Sequence, residues 1–247
     1  MTSLRTVLRL IGLLFCGITA ASAANDHFFS TSPDNLVDMT SKDAIPRDKR
    51  RARSKKTSSV YPYYNVLSGV EKVHKKLGIK GAGVTIGISS TGVSVDHEAL
   101  VGQYRGTLQR GKNISIDHNY NWFDAFGSTV PLDPKFVGTH ITGVAVAAKD
   151  NIGVAPAAKF IACRAIDELE KDTPESQITC MKFFGTMHDL NGGNWRPELI
   201  PDVVFTQHSD SSLGDVLRSS IQGLLDAGVV VITNAGPREE DTSICAK

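Results

Sequence analysis

Five short apolar runs rich in β-branched residues recur along the chain, at 83–89, 116–123, 159–165, 202–206 and 228–233. Runs of this length suit strands of a buried sheet, and the intervals after the second, third and fourth read as helices. Those helical segments are 138–148, small and apolar, 176–188 and 213–226, with another ahead of the first strand at 66–77. In that first helix Val66, Val70, Val73 and Leu77 keep a helical spacing, and Gly78 and Gly81 end it. Such alternation selects an α/β fold, a parallel sheet flanked by helices and joined by right-handed crossovers. In such sheets the functional groups gather at the carboxyl ends of the strands. A composition of 41% hydrophobic and 21% charged residues fits a packed core and excludes a disordered chain. With 27 Lys and Arg against 26 Asp and Glu, the net charge of +1 supplies no field for nucleic acid.

The first 60 residues follow a different pattern. Arg5 and Arg9 precede an apolar run over 10–15 that continues to Ile18, and Ala21-Ser22-Ala23 closes it. Residues 1–23 therefore read as a secretory signal peptide, too short to span a bilayer. No later stretch is apolar over the roughly 20 residues a span needs, so the expected product is secreted and extracellular, with no membrane association after signal removal. Residues 24–60 read as a polar and basic arm or a remnant propeptide, and seven of the ten residues 47–56 are Lys or Arg. Arg47-Asp48-Lys49-Arg50 matches a secretory processing pattern that ends at Arg50; a solvated basic arm is the alternative. The folded unit spans 61–247.

Export sets the redox compartment. With Cys16 in the signal, Cys163, Cys180 and Cys245 remain, which allows one internal bridge plus a leftover thiol, or none. None has CxxC spacing, so no zinc site is expected. Asn113-Ile114-Ser115 is a glycosylation sequon.

Four segments in order carry a family resemblance: GVTIGISSTGV from 83, VGTHITG from 137, NIGVAPAAKFIACRA from 151 and AGVVVITNAGP from 227. Together they resemble the secreted subtilisin-like serine proteases, the subtilases, over 61–247. The entry segment YPYYNVLSGVEKVHKKLGIKGAGVTIGI is similar to their minor-extracellular-protease branch. The resemblance implies a subtilisin-like parallel sheet flanked by helices, C-terminally truncated before the segment that bears the catalytic serine. No Gly-Thr-Ser occurs in the chain.

The resemblance also assigns positions. Ser90, in Ser89-Ser90-Thr91-Gly92, stands where subtilases carry the aspartate that orients the catalytic histidine. A hydroxyl carries no charge to stabilise an imidazolium, and losing that aspartate costs a serine protease about 10⁴ in turnover. Val137 stands at the histidine, and valine moves no proton. Gly92, Gly138 and Thr139 match structural positions of the two motifs. His140 matches the second histidine of the family pattern and is expected to be packed structurally, a replacement base being the alternative. Asn234 resembles the family's oxyanion-hole asparagine, a group worth about 10²–10³ in rate where a nucleophile exists; a plain loop asparagine is the alternative. The stretch from Phe205 to Ser209 departs from the family's Asn-Asn-Ser-Trp-Gly, which changes the groove it would line.

Other constellations carry less. Asp96-His97 and Asp117-His118 are adjacent pairs, and neighbours on a strand face opposite ways. Residues 238–241 are acidic but read as a solvated turn rather than a calcium site, and 189–194 lacks a phosphate-loop lysine. Neither a cofactor nor a metal is expected. The reading is thus a secreted protease homologue without activity, with peptides or protease inhibitors as partners. The alternative is an active serine endopeptidase of which this chain is a fragment.

Overall fold

The computed structural model describes residues 61–111, 113–169, 171, 173–207 and 214–234. In chain order its strands are β1 (Thr85–Ser90), β2 (Thr107–Arg110), β3 (Asn113–Ile116), β4 (Trp122–Asp124), β5 (Lys159–Arg164), β6 (Val203–Thr206) and β7 (Val230–Thr233). Its helices are α1 (Tyr63–Leu67), α2 (Val70–Leu77), α3 (Val137–Val146), α4 (Pro174–Thr186) and α5 (Gly214–Asp226). Five strands form one sheet in the order β4-β5-β1-β6-β7, every pair parallel, as the α/β alternation requires.

Side-chain alternation along the strands sorts two cores. Ile86, Ile88, Phe160, Ala162, Val203 and Phe205 face α3 and pack with Ile141 and Val144. Ile161, Cys163 and Val204 face the other way, against Met181 and Phe184 of α4 and Leu224 of α5. Because β1 lies in the middle, it is buried from Ile86 to Ser90. A disulfide joins Cys163 on β5 to Cys180 on α4, both fully buried, which resolves the cysteine alternatives in favour of one internal bridge. Cys245 lies outside the described residues.

Two expected elements differ. The helix over 66–77 is broken: Gly69 takes φ 80° between α1 and α2, a left-handed turn that a side chain disfavours. The expected strand over 116–123 is two elements. Residues 113–116 pair antiparallel with β2 in a hairpin apart from the main sheet, and β4 begins only at Trp122. Polar turn chemistry intervenes, with Asp117 accepting from the Asn119 N–H at 3.0 Å and Tyr120 at φ 63°. Asp117 and His118 are therefore not on a strand. Among the described residues no helix is long and apolar enough to cross a membrane.

Candidate functional site

The carboxyl end of β1 opens between the ends of β5 and β6. Ser90 is the last residue of β1, fully buried, and its carbonyl accepts from the Ala165 and Ile166 N–H groups at 2.9 and 3.2 Å. Its hydroxyl donates to Gln207 Oε1 at 2.6 Å, and Gln207 follows directly on β6. The chain of bonds continues. Gln177 of α4 donates its Nε2 to the Gln207 carbonyl at 2.8 Å, and its Oε1 accepts from the Thr206 hydroxyl at 3.1 Å. Every group in this chain is a hydroxyl, an amide or a carbonyl.

α3 is laid against this end of β1 at backbone distance. A Cβ on Gly138 would lie 1.9 Å from the Gly92 carbonyl oxygen and 3.2 Å from Ser90 Cβ. One on Gly92 would lie 1.8 Å from the Leu132 carbonyl oxygen, and Gly92 also takes φ 113°. Only glycines allow this approach. It brings Ser90 against Gly138, which follows Val137, the half-buried first residue of α3. The two positions named from the sequence thus lie on elements packed against each other at backbone distance.

Asp133 fixes the start of α3. Its Oδ1 accepts from the Thr91 hydroxyl at 2.7 Å, and its Oδ2 accepts from the Thr139 N–H and hydroxyl at 2.7 and 2.6 Å. Thr91 Oγ1 in turn accepts from the Gly138 N–H at 3.0 Å, and Thr139 Oγ1 from the Ser94 N–H at 3.0 Å. A carboxylate is well placed against the exposed N–H groups of a helix start. At the β4–β5 edge, Arg164 Nε donates to Asp124 Oδ2 at 2.9 Å, with Glu168 3.6 Å from Nη1 and the Phe126 ring over the guanidinium.

The remaining assigned residues scatter. His140 is exposed, contrary to the expected packed histidine, because α3 turns Gly138, Ile141, Thr142 and Ala145 inward and leaves position 140 on the opposite side. Asn234 follows β7, half-buried, one step beyond the Thr206–Thr233 pair and so near Gln207 along the same edge. Its Oδ1 accepts from the Thr233 hydroxyl at 3.3 Å. Asn113 and Ser115 are exposed on the hairpin. Arg50 and residues 238–241 lie outside the described residues.

In the two acid–histidine pairs each ring bonds a group other than its neighbouring aspartate. His97 Nδ1 accepts from the Ala99 N–H at 3.1 Å, and His118 Nδ1 meets the Tyr104 hydroxyl at 3.1 Å. Burial lowers the His118 pKa, against the opposing pull of Asp117. Asp189 closes its own loop by accepting from the N–H groups of Asn191 and Gly193 and from Asn194 Nδ2. Among the described residues no group of three His, Cys, Asp or Glu side chains could hold a metal. Sequence reading did not single out Asp133, Gln177 or the Ser90–Gln207 bond. The departure from the family pattern at 205–209 was the one signal that pointed toward Gln207.

No family model matches the chain. It is 36% identical to Bacillopeptidase F of Bacillus subtilis (strain 168) over 133 residues, which are 52% of this chain and 9% of that protein. It is 25% identical to Subtilisin DY of Bacillus licheniformis over 179 residues, 71% of this chain and 54% of that one. The crystal structure of a cold adapted subtilisin-like serine proteinase overlays with a TM-score of 0.48 at 19% identity, covering 67% of this chain and 50% of that one. The chain spans about half of Subtilisin DY and about a tenth of Bacillopeptidase F. The two sequence matches make it a homologue of the subtilisin-like serine proteases.

Proposed function

We propose that this subtilisin-like serine protease homologue is a secreted protein that does not hydrolyse peptides and instead binds peptides or protease inhibitors as a decoy. The observation that carries the reading is the Ser90–Gln207 bond at 2.6 Å. At the position where the resemblance expects a carboxylate to orient an imidazolium, a buried hydroxyl is committed to an amide, and Val137 replaces the imidazole itself. Neither side chain accepts a proton near neutral pH, so neither of these two positions supplies general-base activation of a nucleophile. Asn234 near Gln207 is the proposed remnant of the oxyanion site. Secretion rests on residues 1–23, and it makes Arg50 a proposed processing site and the exposed Asn113 a proposed glycan acceptor. The test is labelling by a fluorophosphonate probe. No specific labelling, together with saturable binding of a proteinaceous subtilisin inhibitor, is expected; labelling abolished by heat and by competing substrate overturns the reading.

The second reading, an active endopeptidase of which this chain is one part, is favoured by the span of about half of Subtilisin DY. Sequencing the complete transcript separates the two. An in-frame downstream Gly-Thr-Ser, with probe labelling of its product, supports the endopeptidase.

A further inference from the structure

The N-terminal helical pair is held to the body of the fold by side chains that share one target, the backbone carbonyls of residues 151–154. Asn65 Nδ2 donates to the Asn151 and Ile152 carbonyls at 2.8 and 3.0 Å, and the Tyr64 hydroxyl donates to the Ile152 carbonyl at 3.0 Å. His74 of α2, buried, places Nε2 at 2.8 Å from the Val154 carbonyl. The segment they grip is tied in turn to the C-terminal half of α3, through Gly153, Val154 and Ala155 N–H groups bonded to the Ala147, Val144 and Ala145 carbonyls. The clasp therefore connects the helical pair to the same helix whose other end carries Val137.

We propose that this contact is an acid-weakened clasp: protonation of His74 loosens the hold of α1 and α2 on residues 151–154. A carbonyl partner requires Nε2 to carry its hydrogen, so the neutral ring keeps Nδ1 bare and donates once. A second proton creates a cation beside a small pocket lined by Val70, Val73, Ile79, Lys80, Gly81 and Val154. Its charged surroundings do not compensate. Lys80, from the turn after α2, repels it. From ahead of α1 the Tyr61 ring lies 5.7 Å away, carrying Lys75 over its face, and Glu71 is engaged by Lys75 at 2.6 Å. Residues 151–154 contain no ionisable side chain.

The sign follows. Burial, reinforced by Lys80, holds the His74 pKa below the ordinary imidazole value, although the Val154 bond pulls upward. The folded state therefore prefers the neutral ring. The clasp is at full strength above the ordinary imidazole range and weakens as pH falls below it, because the released state binds a proton that the closed state resists.

Hydrogen exchange on the whole chain tests the proposal, with protection of residues 64–77 measured against that of β1 and β5 at about pH 7.5 and about pH 5, either side of the ordinary imidazole pKa. Wild type is expected to lose protection several-fold over 64–77 at the lower pH while β1 and β5 hold. His74→Gln, which keeps a donor but cannot titrate, should show no such loss. An equal loss in both proteins, or none in wild type, overturns the proposal. Should His74→Gln not fold, the ring titration of ¹⁵N-labelled His74 in wild type decides: it must track the loss of protection, and a titration displaced from it refutes the clasp.

Discussion

Asp133 accepts three hydrogen bonds at the start of α3 from a position 6% exposed, and these bonds hold the Thr91 and Thr139 side chains that flank Gly138. Asp133→Ala leaves two hydroxyls and an N–H without their acceptor, and the expected loss is about 3 kcal/mol of stability in urea unfolding. Asp133→Asn, which keeps an acceptor, should lose less than half of that. Sequence reading passed over this residue for a physical reason. A capping carboxylate is sought at the residue just before a helix, and here that residue is Phe136, at φ 60°, with Asp133 three positions earlier. Ser90 was legible because it sits inside a motif. Its partner Gln207 is 117 residues away, and no local pattern encodes such a pairing. His140 was misread because motif position says nothing about which side of a helix meets the sheet.

At the scale of elements, two cross-ties hold β5 in place. Arg164 on β5 and Asp124 on β4 form an ion pair whose side chains are 8% and 0% exposed. Arg164→Met removes the cation and strands a buried carboxylate, with an expected cost of about 3–5 kcal/mol that a denaturant midpoint will register. The Cys163–Cys180 disulfide ties β5 to α4 across a sequence separation of 17, and replacing both cysteines by alanine should cost about 3 kcal/mol. Because α4 also supplies Gln177, that loss reaches the Ser90–Gln207 chain. The bridge was one of the open alternatives in the sequence, since three cysteines do not choose their own partners. Helices and strands with clean periodicity were legible to within a few residues. The failures came where short-range turn chemistry overrode apolar spacing, at Gly69 and over 117–121.

For the whole molecule, the α/β class was readable from the alternation of apolar runs, and the structure has the parallel sheet it implies. The order β4-β5-β1-β6-β7 was not readable, because periodicity fixes which face of a strand is buried and not which strand lies beside it. That order nevertheless makes the site: with β1 central, its carboxyl end meets β5, β6 and α3 at once, and the residue found there is Ser90. On the proposed reading, Ser90 and Val137 leave this end of the sheet without the acid–base pair that the family resemblance places there. The most direct test is the rate of peptide hydrolysis by the protein purified from its natural source, across a broad peptide library. Turnover no faster than the buffer blank is predicted. Turnover that co-purifies with the protein and is titrated to zero by a serine-directed inhibitor would contradict it.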